Sequence, residues 1–387
     1  DSQSGAMSHT AHSAAADFAQ AAAMAVQAGI DVELPTVECY GEPLRRALEA
    51  GEVSLEVIDQ AVLRHLALKQ DLGLFDHPYV REEGVAEVFE TPANRELARR
   101  IARQSMVLLK NDGLLPLSKS GLTLAVIGPN AASGRHLLGD YAYIACVELQ
   151  ALWSPEDSDF VDIDVEAVAA AGPEVVPILK GVKDLAGPGT TILYAEGSPL
   201  RGDDRSGFAA AREIAAKADA VIMVLGERSG LTPECTTGET RDSADLRLPP
   251  IQEELAQAVL DVGKPVILVL VNGRPLALPG LADRANAVLE AWLPGEEGGV
   301  AVAEVLFGEA NPGGKLPITF PRSVGQVPTT YHHKPSGMRS HWYGDYVAEA
   351  VSPRYPFGHG LSYTTFAYEG LALSRTEAAG GDTVQIS

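Results

Sequence analysis

Five carboxylates crowd the stretch from Gly226 to Asp245: Glu227, Glu234, Glu239, Asp242 and Asp245. A carboxyl group held in a polar loop can give a proton and take it back, which is general acid–base chemistry. The stretch follows an apolar run, Ala220–Leu225, and leads into Leu246-Arg247-Leu248-Pro249-Pro250. A long polar loop with glycines after a buried strand belongs on the surface. Loops at strand ends are where open α/β sheets carry function. The residues alone do not rank the five acids.

Other chemistry-bearing residues are sparse. Three cysteines, Cys39, Cys146 and Cys235, form neither a disulfide framework nor a zinc spacing. His9 and His12 lack a third ligand, so no metal is expected. Gly128-Pro129-Asn130-Ala131 is not a dinucleotide fingerprint, and no cofactor is expected. The chain carries 52 acidic and 30 basic residues, a net charge of −22, which argues against nucleic acid or an anionic membrane as partner. No apolar run reaches the roughly 20 residues of a membrane span.

The elements that must position the loop read as alternating strands and helices. Strand-length apolar runs are Leu122–Gly128, Thr191–Glu196, Ala220–Gly226, Pro265–Val271 and Ala287–Trp292. Helical patterns lie between them, near Val175–Leu185, Phe208–Lys217, Ile251–Val262 and Gly298–Phe307. Unalternating strands separated by helices predict a mostly parallel sheet buried on both faces. Ahead of them, Thr91-Pro92 opens a helix whose apolar positions Leu97, Ile101, Met106 and Leu109 carry it toward residue 109. Farther upstream are an Ala-rich helix over 13–28, a short strand Ile30–Leu34, and two helices ended by Gly51 and Gly73. That is too little for a domain and predicts the tail of a larger one. Asn311–Pro321 predicts a turn and a strand closed by prolines. Phe366–Ser374 and Thr383–Ser387 predict two strands at the start of an all-β domain. With 387 residues and no initiator Met, the chain is expected to begin partway into a longer protein, so its compartment stays open.

Several phrases together resemble glycoside hydrolase family 3, the β-glucosidase and β-xylosidase family. They are Ala28-Gly29-Ile30-Asp31-Val32-Glu33-Leu34, Leu72-Gly73-Leu74-Phe75, Ser105–Leu117, Ala125-Val126-Ile127-Gly128-Pro129 and Leu138-Gly139-Asp140-Tyr141. Further on come Asn272-Gly273-Arg274-Pro275-Leu276, Asn311–Pro321 and Tyr355–Thr364. The resemblance implies a layout: residues 1–90 as the C-terminal part of a TIM-like barrel, 91–325 as an α/β sandwich, 326–362 as an ordered connection, and 363–387 as the beginning of a fibronectin type III-like domain. It also implies a retaining exo-β-glycosidase that releases terminal β-linked glucose. β-Xylosidase activity, or a fragment that only binds carbohydrate or supports a partner, are the alternatives.

Retaining hydrolysis uses two carboxyl groups about 5–5.5 Å apart, a nucleophile and an acid/base. By its distance to Leu246-Arg247-Leu248-Pro249, the resemblance assigns the acid/base to Glu239, with Glu234 as runner-up. The nucleophile is an Asp of the barrel. Asp1 falls at its place, although Ser2–Met7 departs from the usual continuation. Arg241, His332 and His333 are the candidates for substrate contact. Arg241 is equally suited to positioning the loop, and the two histidines to a solvated loop or a neighbouring subunit. Cys39 and Cys235 are expected near one crevice, as a disulfide pair or as two free thiols. Trp292 is expected in the core, and Trp342 at the surface. The expected partners are a β-linked oligosaccharide or glycoside, the missing barrel segment, and a second copy in a homodimer.

Overall fold

The computed structural model describes residues 4–34, 36–80, 82–153, 163–332, 348–367 and 369–387. The chain divides into two compact units, Asp1–Val88 and Phe89–Ser387.

The first unit is helical. Phe18–Gln27 is capped by Asp17, whose carboxylate accepts the Gln20 N–H at 2.9 Å. It buries Ala21, Ala22, Ala23, Ala25 and Val26 against neighbours that include Ala47, Val53 and Ala61. The expected strand Ile30–Leu34 is not formed, because no described segment of the unit pairs with it. Glu33 instead closes the turn beyond it, accepting the Cys39 and Tyr40 N–H groups at 2.8 and 2.7 Å. Asp31 pairs with Arg64 at 2.6 Å.

The second unit is built on a six-stranded sheet: β1 (Val107–Asn111), β2 (Thr123–Ile127), β3 (Thr191–Ala195), β4 (Ala220–Gly226), β5 (Val266–Val271) and β6 (Ala287–Glu290). Their order is β1-β6-β5-β4-β2-β3, parallel except for β1 against β6. Alternate side chains divide the core between the two faces of the sheet. Val126, Ile222, Val224, Val269 and Leu289 pack on one side with the helices Ile178–Leu185 and Gly298–Leu306. Ile127, Met223, Leu225, Leu268 and Leu270 pack on the other with Phe208–Lys217 and Pro250–Leu260. The mostly parallel α/β architecture expected from the alternation is present.

Four local expectations are corrected. The helix from Pro92 stops at Ser105 rather than running to Leu109. Met106–Leu109 is buried, and Val107–Asn111 enters the sheet as β1, paired with β6. Tyr143–Trp153 and Val165–Ala171 are helices that the sequence pattern did not mark. The strand expected within Asn311–Pro321 is reduced to one bridge, Phe320 to Tyr355, because the flanking prolines remove ladder donors. The two C-terminal segments meet through a single antiparallel bridge, Leu373 to Ile386, supported by bonds between Ala372 and Ser387. Trp292 is half-buried rather than enclosed, edge-on to Phe320 at 5.8 Å. Trp342 lies outside the described residues.

Candidate active site

The polar residues of the second unit gather where the parallel strands end. Glu227 follows β4 directly, Asn272 and Arg274 follow β5, Trp292 follows β6, and Asn130 lies just past β2. The exit from β4 is tightly set. Gly226 has φ +144°, and a Cβ there would lie 1.9 Å from the Val271 carbonyl oxygen. The buried Gln252 accepts the Gly226 N–H at 2.9 Å. It returns its own N–H groups to the Gly226 and Leu200 carbonyls at 2.8 and 2.7 Å.

From Glu227 the loop folds back on itself. The Arg228 carbonyl accepts the Thr236 N–H at 2.9 Å, and the Thr237 carbonyl accepts the Gly230 N–H at 3.1 Å. Cys235 is buried inside this turn, 3.5 Å from the Thr232 hydroxyl. The outside is tied by cations. Arg201 donates to the Pro233 carbonyl at 2.7 Å. Arg135 and Arg228 both donate to the Glu148 carboxylate, at 2.8–2.9 Å.

Glu239 sits at the tip of the returning arm. Gly238, at φ +118°, lets the chain pass the Gly230 carbonyl, to which a Cβ would approach within 2.7 Å. The Glu239 N–H donates to Asp140 at 3.0 Å, and the Tyr141 hydroxyl donates to its exposed carboxylate. Beside it opens a polar cavity of about 440 Å³ lined by Asp140, Thr237, Arg241, Asp242, Ser243 and Arg274 among others. Arg241 is half-buried. It donates to the Leu231 carbonyl at 3.3 Å, while its Nε is buried without a hydrogen-bond partner.

The environments of the acids differ. Burial pushes Glu227 above the usual carboxylate range, and Arg274, 3.1 Å away, opposes the shift. Glu290 is wholly enclosed, and burial raises it to about 8. Glu234 is exposed and lowered chiefly by the Thr232 hydroxyl. Asp245 is lowered chiefly by its pairing with Arg247. The Tyr141 phenol is raised above its ordinary value chiefly by its bond to Glu239. Burial, together with Arg228 and Arg135, lowers the His136 pKa to about 4.

The structure brings Glu239 and Arg241 together on one loop. His332 is exposed and packs edge-on against Tyr331, which stacks on Phe357 at 4.6 Å. Asp1 and His333 lie outside the described residues. Cys39 and Cys235, expected either as a disulfide pair or as two free thiols, are not bonded to each other in this structure. All three cysteines are free thiols, Cys39 enclosed by Ala21 and Ala22, and Cys235 closed within its own turn. Among the described residues no group of three or more His, Cys, Asp or Glu could hold a metal ion, and no helix is long and apolar enough to cross a membrane. Sequence reasoning assigned no role to Asp140, Tyr141, Glu148, Gln252 or Arg274. A signal for Arg274 was present, since it follows a strand end by three residues.

Residues 106–363 match the glycosyl hydrolase family 3 C-terminal domain. The chain belongs to glycosyl hydrolase family 3. Among family members it is 37% identical to the periplasmic beta-glucosidase of Salmonella typhimurium, over 94% of this chain and 48% of that protein. It is also 37% identical to a beta-xylosidase of Formosa agariphila, over 98% of this chain and 50% of that protein. The crystal structure of a beta-glucosidase from Listeria innocua in complex with glucose superposes with a TM-score of 0.75 at 31% identity, covering 97% of this chain and 47% of that one. The chain therefore spans about half the length of the relatives it matches.

Proposed function

We propose that the protein carrying this chain is a retaining exo-β-glycosidase of the β-glucosidase type, with Glu239 as its acid/base. The single observation that supports this reading is the setting of Glu239. Its backbone is fixed by Asp140, its carboxylate is exposed, and its partner is the neutral hydroxyl of Tyr141. Of the other acids in the loop, Glu227 and Asp245 are each paired with an arginine. A group that must donate a proton and later accept one is best left free of a permanent cation.

In the first step Glu239 protonates the departing glycosidic oxygen while an aspartate attacks the anomeric carbon. In the second, the Glu239 carboxylate takes a proton from the water that releases the sugar. The aspartate belongs to the barrel, and Asp1 is its candidate. In the same reading residues 1–90 are the C-terminal part of a TIM-like barrel, 91–325 the α/β sandwich, 326–362 the connection, and 363–387 the start of a fibronectin type III-like domain. His332, His333 and Arg241 remain candidates for the edge of the sugar site. The similarity to a beta-xylosidase is as high as to a beta-glucosidase, which supports β-xylosides as the second reading.

The test compares nitrophenyl β-glucoside and β-xyloside hydrolysis by the protein and its Glu239→Gln variant. We expect the glucoside to be preferred and the variant to lose about 100-fold or more, with added azide restoring part of the turnover. Unchanged turnover in the variant would remove the assignment. No turnover of either glycoside by the unaltered protein would favour a purely binding or structural role.

A further inference from the structure

One guanidinium closes the neck of the catalytic loop. Arg274 Nη2 donates to the carbonyl oxygens of Thr236 and Arg241, both at 2.8 Å. Those carbonyls lie three residues before Glu239 and two residues after it. Between them the chain runs through Gly238 and Thr240, both at positive φ, so the tip has no regular ladder of its own. Within the tip the Arg241 N–H bonds the Gly238 carbonyl at 3.1 Å, and below it the pair of bonds to Arg274 ties the two arms together.

The guanidinium is itself anchored in the sheet. Its Nε lies 3.1 Å from Glu227, and both side chains are almost out of contact with solvent, 14% and 6% exposed. Glu227 also accepts the Gly273 N–H at 3.4 Å, and its carbonyl accepts from Asn130 at 2.8 Å. The ends of β2, β4 and β5 are thereby joined through one arginine to both shoulders of Glu239. A planar group with several donors in fixed directions can bridge two carbonyls and a carboxylate at once, whereas an ammonium is a point charge on a flexible stem.

We propose that Arg274 is a positioning residue for Glu239, holding the acid/base carboxyl at the height and angle needed for proton transfer. This rests on Glu239 being the acid/base. Arg274 reaches Glu239 through the loop backbone, by which it sets the geometry of the step that needs acid assistance.

The test uses the leaving-group dependence of kcat/KM in the protein that carries this chain. A phenyl or alkyl β-glucoside needs its leaving oxygen protonated, and a 2,4-dinitrophenyl glucoside does not. Arg274→Lys keeps a positive charge beside Glu227 and removes the planar bridge. We expect about a 100-fold loss on the phenyl glucoside and less than about a threefold loss on the dinitrophenyl glucoside. A general loosening of the fold lowers both equally, and that result, or no loss on either substrate, overturns the proposal. Should Arg274→Lys lack a cooperative thermal transition, Glu227→Gln with Arg274→Gln removes the two buried charges together, and the same split is expected. Glu239→Gln is measured alongside. If it shows the split and the Arg274 variants do not, the positioning role alone is wrong. If it shows none, the acid/base assignment falls, and the Arg274 proposal with it.

Discussion

Asn272 and Glu290 face each other at the buried ends of β5 and β6, with Asn272 Nδ2 3.1 Å from one carboxyl oxygen and 3.2 Å from the other. The Trp292 N–H completes the set at 2.9 Å, and the charge of Glu227 that acts on it is of the same sign. The side chain is wholly enclosed and no cation pairs with it among the described residues. Burial therefore raises its pKa, to about 8.

This pairing sets a direction for stability against pH. Below the ordinary carboxylate pKa, Glu290 is neutral in both folded and unfolded chains. Between there and about 8 the unfolded chain releases the proton and the folded one retains it, so stability falls as pH rises. Above about 8 the folded state carries a buried charge and the loss is complete. The loss between pH 5 and pH 8 should be on the order of 3 kcal/mol. Glu290→Gln keeps a similar shape without the titration. Thermal unfolding across this range should show a flatter pH dependence for the variant, and an unchanged slope would show that Glu290 is not the group responsible.

A second prediction concerns Glu148, which takes one guanidinium from each of Arg135 and Arg228. Burial works to raise its pKa, and the two cations outweigh that and hold it low. Its side chain is 13% exposed, so Glu148→Ala leaves two adjacent, poorly hydrated arginines without a counter-charge. The expected cost is about 3 kcal/mol in urea unfolding. Glu148→Ala with Arg228→Met should recover part of it, and no recovery would mean that the two cations do not repel each other.

Tyr141 supplies the next prediction. Its hydroxyl and the Asp140 carboxylate hold Glu239 at the side chain and at the backbone. Tyr141→Phe removes only the first contact and, with Glu239 as the proposed acid/base, should lower kcat about tenfold with little change in KM, since the contact is to that carboxyl rather than to sugar. A rise in KM with unchanged kcat would place Tyr141 in substrate binding instead.

How far this arrangement could be read beforehand depended on what each residue bonds to. β2 to β6 were legible because each is an apolar run of strand length between polar or glycine-bearing segments. β1 was not, since Met106–Leu109 follows its helix with no Gly or Pro between them. The helix Tyr143–Trp153 is apolar on nearly every side, so it shows no stripe. Glu239 could be singled out only through the family resemblance, because the residues gave five acids of equal standing. Tyr141 is 98 residues from Glu239 and meets it only because β2 lies beside β4 in the sheet. Arg274 was the least legible. Its place past a strand end was the one hint, and two of its acceptors, the Thr236 and Arg241 carbonyls, are backbone groups that every residue has and no sequence marks.

The last prediction follows from the exit of β4. Gly226 combines φ +144° with a backbone oxygen 1.9 Å from where a Cβ would stand, so any side chain there must push β4 away from β5. Gly29 has φ +92° and nothing within 4 Å of the same point. Ala at position 29 meets only the backbone strain, about 1 kcal/mol. Ala at 226 also meets the close approach and should cost several times as much, on the order of 3 kcal/mol or more. It should also displace the buried Gln252, which bonds both the N–H and the carbonyl of Gly226. Urea midpoints of the two variants measure the difference. Equal midpoints would mean that the strand end yields freely, in which case it could not serve as the fixed base from which the loop presents Glu239.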